Sequence, residues 1–425
     1  MNSYKLFFMY ASLIYLGGAT IYTRYKMTFP QFDIGGVFAF SLVFILAIKF
    51  LKKQKKYKGL LLLGLFILLW TIFQYVKYGE NVIYFQLIWD VLAGFVICIA
   101  YKEEVFLYYE HCLTKLCLLS IILWFASWMI PFFPPLLIAI SPNWIHALEE
   151  SNILIFGLQP SSFDGALFFR RNCGFAWEPG RFSCFIVMGI FYNLARTKFS
   201  LTNKNFKILL IALLTTQSTT GFATLGIIFL FYIYNVKKKH IIPAICFIGV
   251  LFIAIGSLPF MSEKISTSWI SKSHNQEFEK KVTYWTEEEK ETVVPQRFDG
   301  LLWEFYNIKH DPILGYGKDP SRSYTGDYFD NRLVLYNGNL KVFAILGLIW
   351  GGLYFIVLFG GSRYFSLFFN IKGKYFAALL FISINVSYPF QFEPLFLAMF
   401  FMPLYLNYQI QRISHEKDNH NIPIH

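Results

Sequence analysis

Residues 51–77 read LKKQKKYKGLLLLGLFILLWTIFQYVK. A short basic linker runs into residues 59–77, where the closing Lys77 is the sole charge. A run of this length matches the hydrocarbon thickness of a bilayer, which takes about 20 apolar residues as a helix. The alternation repeats along the chain, with apolar runs at 5–22, 32–51, 59–77, 82–100, 113–131, 181–197, 206–219, 221–235, 241–259, 339–360, 374–390 and 393–410. That predicts about twelve transmembrane helices. The runs 206–219 and 221–235 form one stretch around QSTTG (217–221), which reads as a tight turn or broken-helix point.

Composition leads the same way. Of 425 residues, 56% are hydrophobic, 20% aromatic and 15% charged, and the mean hydropathy is +0.47. An ordinary soluble domain carries about 25% charged residues, and a water-facing fold cannot hide this much apolar surface. Lipid can solvate such surface, provided the backbone is satisfied within the protein. The expectation is an all-α polytopic membrane protein forming one integral membrane domain over residues 1–425. Its N-terminal run lacks a small-residue cleavage site and is read as a retained span rather than a removed signal.

The net charge of +12 raises the question of a nucleic-acid partner. The positions of the charges answer it. Lys and Arg gather in the short linkers 52–58, 101–112, 198–205, 236–240 and 361–373 and in the C-terminal tail. The positive-inside rule makes those linkers cytoplasmic. Two long loops, 132–180 and 260–338, then lie outside, and the second holds ten Lys/Arg against thirteen Asp/Glu. Topology explains the basicity, and no nucleic-acid partner is expected. The six cysteines are scattered without CxxC spacing, so neither a metal site nor a disulfide framework is expected. MIPFFPPLLIAISPNWIHALEE (129–150) reads as an interfacial or re-entrant piece, and FEKKVTYWTEEEKE (278–291) as a solvated helix.

Chemistry concentrates where long loops meet spans. RRNCGFAWEPGRF (170–182) gathers Arg170, Arg171, Glu178 and Arg181 ahead of a span, with Pro179 and Gly180 suited to a helix start. Arginine binds phosphate through paired hydrogen bonds and keeps its charge, so one reading is a phosphate-recognising mouth. The other is a set of interfacial arginines on lipid headgroups, with Glu178 pairing one of them. At the QSTTG break, Ser218, Thr219 and Thr220 are placed to bind sugar or phosphate, or to satisfy freed backbone carbonyls. PQRFDGLLWEFYNIKHDPILGYG (295–317) predicts an amphipathic helix opened by Arg297 and Asp299, with Leu301, Leu302, Phe305 and Ile308 on its apolar face. His310 follows, and then a Pro–Gly turn able to bring backbone close to a ligand. LYNGNLKVF (335–343) starts the next span with Tyr336 and Asn337 at its mouth, where Asn suits a helix cap. No phosphate-binding loop, HExxH motif or Cys/His cluster is present, so the chemistry is expected to be metal-independent and free of cofactor.

Taken in order, these pieces resemble the O-antigen polymerase and O-antigen ligase superfamily of bacterial inner-membrane proteins. The resemblance rests on Arg171, Gly174, Glu178, Pro179 and Gly180; on Ser218 to Gly221; on Arg297 and Trp303; on Pro312, Gly315 and Gly317; and on Asn337 and Gly338. It covers roughly residues 165–360. It implies a GT-C-like helical fold whose two long loops are periplasmic, acting on undecaprenyl-pyrophosphate-linked oligosaccharides as donor and acceptor. A chain-length regulator protein is a further partner of that kind. Arg171 and Arg297 would then hold the donor pyrophosphate. Apart from the resemblance, Glu178 is the candidate base with Asp299 behind it; a salt bridge to a neighbouring arginine would make it a poor base that orients Arg171 instead. Arg170, Arg181, Ser218, Thr219, His310, Tyr336 and Asn337 are candidates to line the substrates. Tyr336 stands where ligases place a histidine before the Asn, which favours a polymerase over a ligase and leaves the general base open. A lipid-linked oligosaccharide transporter is the rival of another class. It predicts polar residues near the midplane and repeated halves, whereas here the polar clusters sit at span mouths.

Overall fold

The computed structural model describes residues 1–23, 34–51, 58–79, 84–140, 151–159, 170–236, 297–329 and 333–406. The linker 52–57, the apolar run 241–259, the loop segment 260–296 and the tail after residue 406 lie outside the described residues.

The described chain is mostly helical. Its first part forms α1 (Ser3–Tyr15), α2 (Ile34–Leu51), α3 (Lys58–Tyr78), α4 (Phe85–Tyr101), α5 (Glu104–Met129) and α6 (Phe133–Ile140). Three strands follow, β1 (Ser151–Ile153), β2 (Phe156–Gln159) and β3 (Arg171–Gly174). Then come α7 (Pro179–Arg196), α8 (Lys204–Thr216), α9 (Thr219–Asn235), α10 (Arg297–His310), α11 (Tyr324–Phe329), α12 (Gly338–Phe369), α13 (Phe376–Asn385), α14 (Pro394–Phe400) and α15 (Met402–Tyr405).

Gly59–Tyr78, Glu104–Met129 and Gly338–Phe369 are long and apolar enough to cross a membrane, and α2, α4, α9 and α13 contribute shorter apolar helices. On α3, Leu61, Leu65, Leu68, Ile72 and Val76 form an exposed stripe at helical spacing. Such a stripe suits lipid and not water. The chain is a mostly helical membrane protein.

The bundle closes around α7. Every residue from Pro179 to Ala195 is buried, enclosed by α5, α8 and α9. The run expected to be a span is therefore a central helix sheathed by protein. Rings pack its first half, with Phe185 5.0 Å from Phe175 and 5.4 Å from Phe390 between centroids. Its C-terminal end is tied by Arg196, which donates to Glu110 from both Nε and Nη2 at 2.7 Å. Glu110 is 1% exposed and also accepts from Asn193 (2.6 Å) and Asn205 (3.0 Å). Those amides meet the lone pairs that would make a buried carboxylate costly.

Two features depart from an all-helical, continuous-span reading. First, the loop 132–180 folds a three-stranded antiparallel sheet in the order β1-β2-β3. Phe156 and Leu158 point to the same side of β2 and pack with Leu137 of α6 in a small separate core. Second, α12 is interrupted at Gly347, whose φ is +76°. The freed backbone groups pair with the Pro–Gly turn after α10. Tyr316 N–H donates to Ala344 O (2.9 Å), Gly317 N–H to Ile345 O (3.1 Å), and Leu348 N–H to Pro312 O (2.7 Å). From α3, Trp70 donates to Leu314 O (3.1 Å) and Gln74 to Leu314 O (2.7 Å) and Gly315 O (2.9 Å). Irregular backbone inside a membrane protein persists only where protein satisfies it, and the turn does so here. The turn expected to bring backbone close to a ligand packs its backbone against a broken helix, and its residues Tyr316, Gly317 and Lys318 also line a cavity.

Candidate functional site

Four helix starts meet around residues 385–394. Thr220 of α9 donates to Ser387 (3.0 Å), and Ser183 of α7 donates to Ser218 (3.0 Å). A Cβ at Gly180 would collide with the Tyr388 hydroxyl, and one at Gly338 with Gln391, Asn385 and Pro389. Pro394 opens α14 at the end of the same segment. Thus the EPG stretch (178–180) and the Asn337–Gly338 stretch, far apart in sequence, lean on one loop.

The arginines divide their work. Arg171 donates from Nε to Thr216 O (3.2 Å) and from Nη2 to Gln217 O (3.2 Å). These carbonyls end α8, where orphan acceptors and the helix dipole favour a cation. Arg170 is half-buried, and its Nη1 is enclosed without a hydrogen-bond partner among the described residues. Burial pushes its guanidinium pKa down, the sign of a charge short of solvation. Arg181 is 6% exposed and lies over the rings of Trp177 (4.3 Å) and Tyr388 (5.1 Å). Its Nε donates to Glu178 Oε2 at 3.1 Å. Glu178, the candidate base, thus pairs with Arg181 through one of its two carboxylate oxygens.

The remaining candidates fall in several places. Ser218 caps α9 by accepting from Gly221 N–H (3.2 Å), and Thr219 beside it is half-buried. Gln217, with φ +48°, ends α8 in the left-handed region. Asn337 is buried and caps α12 by accepting from Leu340 N–H (3.0 Å). Tyr336 before it is 37% exposed. His310 is exposed at the end of α10, with Tyr324 6.4 Å away. Arg297 and Asp299 open α10, and the positions of their side chains lie outside the described ones.

Helix α10 keeps only part of the expected face: Ile308 is buried and Leu301 half-buried. Gly300, Trp303, Glu304, Asn307 and Ile308 are buried, while Leu302 is 45% and Phe305 58% exposed. The buried side is rich in polar groups because it borders a cavity of about 500 Å³ between α10, α11 and the start of α12. Glu304, Asn307, Ser323, Thr325 and Lys341 are among its lining residues. Burial pushes the Glu304 carboxyl up to about 7, against the lowering effects of the Lys341 charge and the Asn307 amide. A second cavity of about 230 Å³ shares the wall of Tyr84, Lys341 and Ile345. It carries Gln86, Trp89, Asp90, Gln391 and Glu393, and Gln391 Oε1 is buried there without a partner among the described residues. Aromatic faces beside carboxylates and amides suit the apolar and hydroxyl faces of a sugar.

Glu304 and Lys341 were not among the residues singled out from sequence. The signal was available: Glu304, Asn307 and Asp311 recur at helical spacing opposite Leu302 and Phe305.

No protein-family model, curated protein or solved structure matches this chain. Fold and site on their own define a class: a mostly helical membrane protein with a polar, cation-bearing site where several helix starts converge.

Proposed function

We propose that this protein is a membrane glycosyltransferase of the O-antigen polymerase kind, joining undecaprenyl-pyrophosphate-linked oligosaccharide repeat units at the periplasmic face of the bacterial inner membrane. The observation that carries the reading is the convergence of the EPG and Asn–Gly helix starts on the 385–394 loop, beside Arg181 and two adjoining polar cavities. Convergent helix N-termini and guanidinium groups favour an anion such as a pyrophosphate. In the reaction an acceptor hydroxyl attacks the anomeric carbon of the donor sugar, and the bond from that carbon to the lipid pyrophosphate breaks. Negative charge grows on the leaving group, so fixed cations lower the barrier by binding it more tightly in the transition state than in the ground state.

Complementation of a polymerase-deficient strain with wild type, Arg171→Ala and Arg297→Ala tests the reading, with polysaccharide length read on a gel. Wild type is expected to restore long chains, and each variant to leave surface chains of a single repeat unit. A wild type that leaves single-repeat chains in this strain but restores surface polysaccharide in a ligase-deficient strain would indicate a ligase instead. Normal chain lengths in both variants would sink the arginine mechanism.

A further inference from the structure

We propose, resting on the glycosyl-transfer reading above, that the cavity between α10, α11 and the start of α12 binds the acceptor sugar and that the Glu304 carboxylate takes the proton from its attacking hydroxyl. Glu304 is 1% exposed, yet it stands in the wall of a cavity of about 500 Å³, within the ~300–1,000 Å³ range of small-molecule sites. A carboxylate is kept in such a place at a cost unless the place uses it. Its orientation is set: Asn307 Nδ2 donates to Oε2 (3.3 Å), and Asn307 Oδ1 is itself fixed by the Thr325 N–H (2.9 Å). Ser323 and Thr325 add hydroxyls and Tyr316 adds a ring to the same wall, the mixture a sugar requires. Glu178, the candidate base from sequence, is engaged by Arg181.

The surroundings support a base that works near neutrality. The charged and titratable groups facing the cavity are Lys341 from α12, Tyr84 from the segment before α4, and Tyr316 and Lys318 from the turn after α10. Arg322 is held over the Tyr78 ring (4.5 Å) and near Asp319 (3.7 Å), and Asp327 on α11 is exposed. Lys77 and Tyr78 of α3 engage Asp311 beyond the end of α10. A proton acceptor serves best when its affinity for protons lies near the working pH, and the upward shift of Glu304 to about 7 satisfies that. In the step, the acceptor oxygen bonds to the donor's anomeric carbon and its proton passes to Glu304. The bond from that carbon to the pyrophosphate oxygen breaks with its electron pair, so undecaprenyl pyrophosphate leaves. Lys341, in the wall shared by the two cavities, lends a cation to that departure.

The experiment is a polymerisation assay of the full chain in membranes, supplied with lipid-linked repeat units extracted from its own cells, for wild type, Glu304→Gln and Glu304→Asp across pH 5–9. Wild-type kcat should rise through about pH 7 to a plateau. Glu304→Gln should lose roughly 100-fold or more in kcat with KM little changed, and Glu304→Asp should recover part of the rate with a displaced pH midpoint. In parallel, dicyclohexylcarbodiimide, an apolar reagent for protonated carboxyls, should label Glu304 at pH 6 and spare it at pH 9. If Glu304→Gln keeps wild-type kcat and the same pH limb, the role of Glu304 is overturned and the polymerase reading stands. An inactive wild type overturns that reading, and this role with it.

Discussion

Gly347 sets its bare Cα against the backbone of Ile313, so that any Cβ at that point would overlap the Ile313 carbonyl. Gly315 does the reverse, approaching the carbonyls of Ala344 and Ile345. The turn after α10 and the break in α12 are therefore two halves of one backbone joint, each with a glycine in the left-handed region, at φ +68° and +76°.

Substituting Gly347→Ala tests the joint. The left-handed backbone alone costs a residue with a Cβ roughly 1–2 kcal/mol, and the contact with Ile313 adds to it. The detergent-solubilised variant should unfold several degrees below wild type. Gly352, where a Cβ meets nothing within 4 Å, is the control, and Gly352→Ala should leave the midpoint nearly unchanged. Equal midpoints for the two variants would refute the joint.

Why this joint escapes a reading of sequence is plain from its chemistry. AILGLIWGG (344–352) looks like continuous apolar span, and the hydrogen bonds that let it break come from residues some thirty positions earlier. The break at QSTTG, by contrast, is legible because its cause is local: Ser218 caps the next helix with its own side chain. The same division runs through the site. Helix caps at Ser218 and Asn337 and the start of α7 at Pro179 are written in neighbouring residues. The destinations of Arg171 on α8 and Arg181 over Tyr388 depend on distant chain and are not. For α10, a rule for water-soluble helices points Leu302 and Phe305 inward. Here those two side chains are exposed, and the buried side combines Trp303 and Ile308 with Glu304 and Asn307 at the cavity wall, because the polar pair has a cavity to border.

Glu304 makes stability depend on pH in a direction opposite to that of paired surface carboxylates. Its carboxyl titrates at about 7 in the fold against an ordinary 4.5. Between those values the folded chain holds a proton that the unfolded chain has released. Stability contributed by the protonated group is then full below about 4.5 and is lost as pH rises through about 7. The loss is on the order of 3 kcal/mol. Glu304→Gln, a neutral isostere, should flatten this slope. It should unfold at a higher temperature than wild type at pH 8 and near the wild-type temperature at pH 4.5. Parallel melting curves across that window would refute the burial argument.

The paired arginines of the mouth should separate by experiment. Arg171 donates to the two carbonyls that end α8, and charge-assisted bonds of this kind are worth about 1.5–3 kcal/mol each when intact. Arg171→Ala should therefore lower the unfolding temperature clearly, and Arg171→Lys should recover only part of it, since an ammonium cannot span both carbonyls as a guanidinium does. Arg170 has a buried Nη1 with no partner among the described residues, so Arg170→Ala removes an unsolvated donor and should leave the unfolding temperature unchanged or raised. If that nitrogen is reserved for the pyrophosphate, Arg170→Ala should also weaken binding of undecaprenyl pyrophosphate by about tenfold or more, the equivalent of roughly 1.4 kcal/mol. Binding to the solubilised full chain, followed by intrinsic tryptophan fluorescence, reads that loss directly. Wild-type affinity in Arg170→Ala, together with intact stability, would assign anion recognition to Arg171 or Arg181 instead.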